Sequence, residues 1–350
     1  MSRTLPALAL GAVLALAPAR LAAQNWDDDD TRDDRAEPSH FAINLRIQRV
    51  GLSLGNSAVH TGLRLNWSDA GIERINGINV TIWKPGEPLT GTVNGLALGV
   101  AGPGAARING IAIGLGGVVT RRLMRGIAIG GLGVVSNGDI RGISLAGLGA
   151  VANHDLSGIS VAGLGVVANH DFTGIGISGL GTVANGDFKG FGFGVVGTVA
   201  NGDMTGVAIG GVGAVTNGYF AGIGIGGVGM VANRGITGIA IGGIGVASDG
   251  VLRGGALAGY MVRVREVRGL SAALLRVKTN TLRGVSIAGF NQVRRMQVGL
   301  SIGLLNYARE LHGAQIGVLN IAGNNRWPWR VLPFLNLHLA KRTDQEEGQQ

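Results

Sequence analysis

The sequence contains no cysteine, only eight prolines in 350 residues, and few aromatic side chains, which make up 5% of the chain. Without cysteine the fold cannot depend on disulfides, and no thiol nucleophile is present. The low proline content and the lack of a Gly-X-Y period exclude collagen, and a hydrophobic share of 46% is too high for a disordered linker. What the chain has in excess is glycine, with 65 residues. An apolar chain this rich in glycine is typical of a tight repeat.

The N-terminal residues have the features of a secretory signal. Arg3 supplies a positive charge, residues 5–18 form an apolar stretch, and small residues follow at Ala22 and Ala23. The apolar stretch is short for a membrane-spanning helix. We therefore expect residues 1–23 to be a signal peptide and the chain to be exported.

The net charge of +9 is unevenly distributed. Fourteen Lys and Arg residues lie between positions 251 and 342, against the two acids Glu266 and Glu310. Residues 142–250 contain only Lys189 and Arg234 as basic residues. Nucleic acid is not expected as a partner of an exported chain, so the basic excess favours an anionic lipid or polysaccharide of the envelope. A surface that is merely soluble is the alternative.

A strict repeat runs through the middle of the chain. Its units begin at glycines spaced by 16 residues, namely Gly126, Gly142, Gly158, Gly174, Gly190, Gly206, Gly222, Gly238 and Gly254. Shorter steps continue the series to Gly269, Gly284, Gly299 and Gly313, and Gly110 and Gly95 extend it upstream. Asn recurs in register at Asn137, Asn153, Asn169, Asn185, Asn201, Asn217 and Asn233. Such self-similarity predicts that each unit packs against its neighbours.

Within each unit the apolar residues alternate, as in Ile159 and Val161 or Ile239 and Ile241, which is the period of a β-strand. The glycine load disfavours a helix, because each glycine costs about 1 kcal/mol relative to alanine. The Asn-Gly-Asp step predicts a turn, since Asn and Gly both tolerate positive φ. Each unit is therefore expected to be one or two short strands closed by a turn.

Two all-β folds fit this unit. In a repeat β-solenoid each 16-residue unit is one coil, and equivalent residues stack about 4.8 Å apart along a parallel sheet, with the repeated Asn as a side-chain ladder. In the alternative, a transmembrane β-barrel, each unit is one strand and the Asn-Gly pairs are hairpin turns. With two-residue turns the apolar stripe would change faces at every strand, so the pattern favours the solenoid. The five Trp residues also favour it, because they lie near the chain ends at Trp26, Trp67, Trp83, Trp327 and Trp329 and not in girdles along every strand.

The expected organisation has six segments. They are a secretory signal peptide (1–23), an acidic disordered linker (24–40), N-terminal cap strands (41–76), the glycine-rich β-repeat array (77–323), a C-terminal cap (324–340) and a disordered tail (341–350).

The later repeats carry a recognisable pattern. Residues 299–306 (G-L-S-I-G-L-L-N), 313–325 (G-A-Q-I-G-V-L-N-I-A-G-N-N) and 331–336 (V-L-P-F-L-N) resemble the surface-repeat family first noted in Leptospira and widespread in Bacteroidota-type bacteria, and residues 75–80 (I-N-G-I-N-V) resemble its upstream copies. The resemblance implies a bacterial cell-surface or outer-membrane location, with the periplasm as the alternative. That family has no established activity, so no site residue is carried over. The central units depart from the family by being richer in Gly and Ala.

Several motifs resemble functional sites, but none of them is assigned a function. Residues 192–197 and 224–229 match G-x-G-x-x-G, but the repeat itself produces this pattern and no helix is predicted after it, so no nucleotide cofactor is expected. The turn acids Asp139, Asp155, Asp171, Asp187 and Asp203 could stack and bind a cation, although solvated turn acids are the commoner explanation. His154 and His170 occupy equivalent positions in adjacent units and could share a metal, but neighbouring units have Gly there. No catalytic, cofactor-binding or metal-ligating residue is therefore predicted.

The C-terminal region offers one further candidate surface. Arg294, Arg295, Arg326 and Arg330 could meet lipid phosphates, and Trp327 and Trp329 could lie at a membrane interface. The alternative, which we favour, is that these residues form a packed cap.

Export, the repeat and the lack of a site together predict a non-enzymatic envelope or cell-surface protein, a structural or adhesive scaffold. The alternative is an integral outer-membrane β-barrel with a pore or anchoring role. A sugar-cleaving enzyme is disfavoured, because it would need paired acids on one face and the central units offer only turn Asp residues.

Overall fold

The computed structural model describes residues 42–47 and 50–338, and every regular element in that part of the chain is a β-strand. Successive units of about 16 residues form the coils of a β-solenoid, which confirms the predicted fold. In the described residues there is no helix long and apolar enough to span a membrane. The predicted signal peptide, acidic linker and C-terminal tail lie outside the described residues.

The chain divides into two compact units, residues 1–146 and 147–350. The strands of the first unit are β1 (Ala42–Ile47), β2 (Val50–Gly55), β3 (Val59–Asn66), β4 (Arg74–Thr81), β5 (Thr92–Gly99), β6 (Gly104–Gly114), β7 (Gly117–Gly130), β8 (Gly133–Ser136) and β9 (Asp139–Ala146). From β2 to β7 each strand pairs in parallel with the next, and β7 pairs in parallel with β8 and β9. Parallel stacking thus starts at β2, ahead of residue 77, where the sequence places the start of the array.

The second unit contains the most regular coils. Its strands are β10 (Gly149–Ala152), β11 (Leu156–Ala162), β12 (Gly165–Ala168), β13 (Phe172–Ser178), β14 (Gly181–Ala184), β15 (Phe188–Gly194), β16 (Gly197–Ala200), β17 (Met204–Gly210), β18 (Gly213–Thr216), β19 (Tyr219–Gly226), β20 (Gly229–Ala232), β21 (Gly235–Gly242), β22 (Gly245–Ala258), β23 (Met261–Ala322) and β24 (Val331–His338). Residues 16 apart pair in parallel, as Gly158 with Gly174 and Val166 with Thr182. Each unit is therefore one coil and not one strand of a hairpin.

Each central coil contains two strands and two corners. In the coil of residues 156–171, β11 is the long strand, Gly163 and Leu164 form the first corner, β12 is the short strand, and residues 169–171 form the second corner. The sequence identified the second corner from its Asn and Asp. The Gly-Leu corner was missed, because an apolar residue at a turn carries no polar signal.

The interior of a coil holds one large side chain against small ones. The large residues are Leu156, Phe172, Phe188, Met204, Phe220 and Ile236, all buried. Four residues further on, the coils with Phe have Gly (Gly176, Gly192 and Gly224), and the coils with Leu, Met or Ile have Ser160, Ala208 and Ala240. A Cβ added at Gly192 would lie 2.8 Å from Cζ of Phe188 and 2.6 Å from Cγ2 of Thr198. Side-chain volume is thus conserved within each coil, as close packing requires.

One glycine in each coil is required by the backbone. Gly174 has φ of 130°, and a Cβ there would run into the carbonyl oxygen of Gly158 in the preceding coil. Only glycine accommodates both the positive φ and the close approach of the neighbouring backbone. This requirement explains why the column from Gly126 to Gly313 is the most regular feature of the sequence.

The alternating Ile and Val residues face outward. Ile159 and Ile239 are each more than one-third exposed, and the interior is formed by the residues between and around them. The preference for a solenoid over a barrel takes this stripe as a core face, whereas the core is formed by the large residue of each coil and by small residues such as glycine and alanine. The solenoid was therefore predicted correctly, but from a stripe that lies on its outside.

The terminal strands pair differently from the coils. At one end β1 pairs antiparallel with β2, and at the other β24 pairs antiparallel with β23, with Gln315 opposite Asn336. An antiparallel strand along the last coil satisfies backbone groups that would otherwise form an open edge.

Candidate functional site

An apolar ridge runs along the Gly-Leu corners of the second unit. It consists of Leu148, Leu164, Leu180, Val196, Val212, Val228, Ile244, Tyr260 and Leu275. The backbone N–H of each residue donates to the carbonyl oxygen of the one before it, at 2.7 Å for Leu164 to Leu148 and 2.7 Å for Ile244 to Val228. Seven of the nine side chains are solvent-exposed, with Leu164 at 48% and Ile244 at 54%, and Val196 and Val212 are half-buried. A single exposed Leu needs no explanation, but a continuous row of them marks an interaction surface.

The outer side of the long strands extends this apolar surface. Residues 159, 175, 191, 207, 223 and 239 stack in parallel register and are all Ile, Phe or Val. Of these, Ile159, Ile175, Ile223 and Ile239 are exposed. The ridge and this column together form a ribbed apolar face repeated at the spacing of the coils.

The second corner of each central coil is polar. The Nδ2 of each Asn donates to the Oδ1 of the Asn one coil earlier, from Asn233 back to Asn153, at distances of 2.9 to 3.1 Å. This confirms the predicted Asn ladder. The coils of the second unit are thus amphipathic in cross-section, with an apolar corner and a polar one.

The turn acids form a second ladder beside the Asn residues. Oδ1 of Asp171 accepts the backbone N–H of Asp187 at 2.8 Å, and Oδ1 of Asp187 accepts that of Asp203 at 2.9 Å. Asp139, in the first unit, pairs with Arg141 at 2.7 Å. These contacts account for the turn acids by backbone capping and ion pairing.

One group of side chains in the described residues could hold a metal ion, and it consists of Asp155, His170 and Asp171. Nδ1 of His170 lies 2.7 Å from Oδ1 of Asp155 and 3.9 Å from Oδ2 of Asp171, and all three side chains are exposed. His154 does not belong to the group, so His154 and His170 do not form the shared metal site that their equivalent positions suggest. The hydrogen bond between His170 and Asp155 raises the pKa of the imidazole and lowers that of the carboxyl. An exposed ion pair explains this geometry, and the absence of a resident metal stays a prediction.

The C-terminal aromatic residues project from the cap. Trp327 is 81% exposed, Trp329 63% and Phe334 77%, and Arg326 and Arg330 beside them are exposed as well. A pocket of about 370 Å³ lies against this segment; Asn325, Arg326, Trp329, Leu332, Leu335, Asn336 and Leu337 line it. β24 does close the last coil, but the two Trp side chains do not pack as the predicted cap requires. Their exposure beside arginines is the arrangement expected at a lipid interface.

The two G-x-G-x-x-G matches serve packing. Gly192 and Gly224 are the small residues that face Phe188 and Phe220 in the coil interior. Strands of the solenoid follow both segments. Packing therefore explains both motifs, and the absence of a nucleotide cofactor stays a prediction.

Two buried polar networks were not recognised from the sequence. In the first unit, Nη1 of Arg64 donates to Oδ1 of Asp69 at 2.8 Å and to Oδ1 of Asn79 at 2.7 Å, and Arg64 and Asp69 are fully buried. In the second unit, Asn291 donates to Asn306 at 2.8 Å, and Asn306 to Asn320 at 2.7 Å. The second network contains the Asn of the G-L-x-I-G-L-L-N pattern. That residue is thus part of the solenoid interior and not of an exposed site.

Comparison with known family models, curated proteins and solved structures finds no match for this chain. The resemblance to the bacterial surface-repeat family therefore stays a prediction, and function has to be argued from the surfaces just described.

Proposed function

We propose that this chain is a non-enzymatic exported scaffold of the bacterial envelope, at the cell surface or outer membrane, whose second unit attaches to a lipid surface through its apolar ridge. The observation that carries the proposal is the row of apolar side chains from Leu148 to Leu275, seven of which are exposed. Burying such side chains contributes about 25 cal/mol per Å² of apolar area removed from water, so the seven exposed side chains would together add up to substantial binding.

Two further features favour a lipid surface over another protein as the partner. The exposed Trp327 and Trp329 stand beside Arg326 and Arg330, a combination suited to lipid headgroups. The basic excess of the last third would be attracted to an anionic leaflet, at about 1 kcal/mol for each basic residue near the surface. Export itself is supported by the signal-like residues 1–23.

Flotation with lipid vesicles tests the attachment. The full chain should float with vesicles made of equal parts phosphatidylglycerol and phosphatidylcholine. The triple variant Leu164→Gln, Leu180→Gln, Ile244→Gln should lose most of this binding. The matched control Thr173→Gln, Thr205→Gln, Thr237→Gln changes three exposed side chains of the long strands in the same unit and should float normally.

Two results would contradict the proposal. Equal flotation of both variants would show that the ridge does not contact lipid. A chain that ignores vesicles but forms oligomers, which the ridge variant disrupts, would assign the ridge to a second copy of the chain. Fractionation of a Gram-negative host tests export separately, and recovery in the cytoplasm alone would contradict it.

A further inference from the structure

The outer side of the short strands changes its chemistry along the second unit. Val151, Val167, Val183, Val199, Val215 and Val231 stack in parallel register, followed by Ala247 and then Arg263. Arg263 follows its column glycine Gly254 by nine positions, and Lys278 follows Gly269 by the same nine, so the next coil also carries a cation there. A column that is apolar for seven coils thus becomes cationic.

This change creates a basic pocket. Arg263, Arg265, Lys278 and Arg294 line a hollow of about 160 Å³, together with Ser248, Asp249, Val264, Thr279 and Asn280. Asp249 is the one acid in this lining. The pocket is therefore lined by four cationic side chains and one carboxylate.

The neighbouring cations are used differently. Arg268 donates to Glu266 at 2.7 Å, Glu266 also pairs with Arg283 at 3.8 Å, and Arg276 is bonded to Gln292 and stacked over Phe290. Among the described residues, none of the four pocket cations forms an ion pair with an acid. The pocket thus gathers four cations, and none of them is in an ion pair with another described residue.

The cations that line the pocket repel one another. Desolvation lowers the pKa of Lys278, and repulsion from Arg294, Arg263 and Arg276 lowers it further. Like charges held together in this way raise the free energy of the unliganded surface, and an anion bound between them removes that cost.

We propose that the pocket lined by Arg263, Arg265, Lys278 and Arg294 binds a phosphate group. Guanidinium groups present planar pairs of N–H donors that match phosphate oxygens, and an ammonium adds a point charge, so three Arg and one Lys suit a group with more than one negative charge. The phosphate could belong to a lipid headgroup or to a free phosphate compound, since both offer the same chemistry. The site does not depend on the lipid attachment proposed above, because free phosphate can occupy it.

Titration calorimetry of the full chain with inorganic phosphate tests the site. The triple variant Arg263→Gln, Lys278→Gln, Arg294→Gln should bind phosphate at least about tenfold more weakly, because it loses several charge-assisted hydrogen bonds. The control Arg253→Gln, Arg268→Gln, Arg283→Gln also removes three positive charges, from the exposed arginines that directly precede the column glycines. It should leave the affinity about unchanged. Circular dichroism should show that both variants are folded.

Two outcomes overturn the proposal: no phosphate binding by the unaltered chain, or an equal loss in both variants, which would show diffuse attraction by net charge. Vesicle flotation then identifies the source of the phosphate. If the pocket variant loses binding to phosphatidylglycerol vesicles while the control retains it, the ligand is a headgroup. If only inorganic phosphate binding is lost, the ligand is a free phosphate compound. In either case the ridge variant should still bind inorganic phosphate, so failure of the lipid proposal and failure of this one are distinguishable.

Discussion

The central coils and the C-terminal coils of the second unit hold the same backbone arrangement together by different means. Residues 156–258 fill the interior with one large apolar residue against glycine, alanine or serine, as Phe188 against Gly192. Residues 259–322 keep a buried apolar residue at that position in Val267, Leu282 and Leu311, and they add buried amides, with Asn291, Asn306 and Asn320 in a ladder. The outer surfaces differ as well, since the C-terminal coils carry many basic residues beside their exposed apolar ones and the central coils carry few.

The difference shows which part of the repeat unit is the same in both regions and which part varies. A parallel stack needs equivalent residues in register, and either interlocking volumes or identical amides can provide this. The column glycine is common to both regions, with Gly174 at φ of 130° and Gly299 at 120°. Its backbone role is therefore independent of how the interior is filled.

The largest effect should come from the feature that both regions share. Gly174→Ala should destabilise the second unit by about 3 kcal/mol or more, because the new Cβ meets the carbonyl of Gly158 and the positive φ is strained. Urea denaturation followed by circular dichroism measures the loss. Gly255→Ala is the control, since a Cβ there meets nothing within 4 Å, and it should be nearly neutral. Equal effects of the two changes would contradict the backbone explanation.

The packing rule of the central coils can be broken and then restored. Gly192→Ala should cost about 1–3 kcal/mol by overpacking against Phe188 and Thr198. Adding Phe188→Met and Thr198→Ala copies the next coil, where Met204, Ala208 and Ala214 pair with these positions, and should recover most of the loss.

A sharper test is whether Gly192→Ala raises or lowers the stability of the chain in the altered background. In the Phe188→Met, Thr198→Ala background the added methyl should stabilise the chain, because it fills space that the smaller neighbours leave. A destabilising effect of Gly192→Ala in both backgrounds would refute the rule.

The amide ladders of the two regions should differ in strength. Asn306→Ala should cost about 1–3 kcal/mol, because its loss leaves buried partners unsatisfied, including the carbonyl of Ile316, 2.9 Å from Nδ2. Asn201→Ala removes the same side chain from the exposed ladder and should cost about 0.5 kcal/mol, because water replaces its partners. Thermal unfolding of both variants measures the difference. Similar losses would mean that burial does not distinguish the two ladders.

The smallest effect concerns the polar corner of the central coils. The pKa of His170 is raised by its hydrogen bond to Asp155, so the imidazolium contribution to stability is complete below the unfolded pKa and is lost as pH rises through the folded one. The pKa of Asp155 is lowered by the same bond, so its contribution is lost as pH falls through its folded value. The pair therefore acts between these two pKa values.

NMR titration of His170 measures this coupling directly. Asp155→Asn should return the imidazole pKa towards its ordinary value. Asp187→Asn is the control and should shift it less, because Asp187 acts on His170 only through a weaker charge interaction. An unchanged His170 titration in Asp155→Asn would contradict the assigned hydrogen bond.

Much of this architecture could be predicted because it is periodic. The glycine spacing gave the coil length, and the recurring Asn predicted the ladder from Asn153 to Asn233. The function of the alternating Ile residues could not be predicted in the same way, since an apolar stripe has the same sequence pattern whether it faces a core or solvent. The buried Arg64 was also missed, because its partners Asp69 and Asn79 come from a loop and a neighbouring coil.

The repeat period, the strands, the polar corner and the recurring glycine can all be read from the sequence alone. These features are local, because they follow from φ, from turn chemistry and from spacing along the chain. The three-dimensional fold is needed to tell which apolar residues face outward and that Arg263, Lys278 and Arg294 line one pocket. Both depend on how neighbouring coils stack and on which side chains fill the interior. These packing contacts join residues that are distant along the chain.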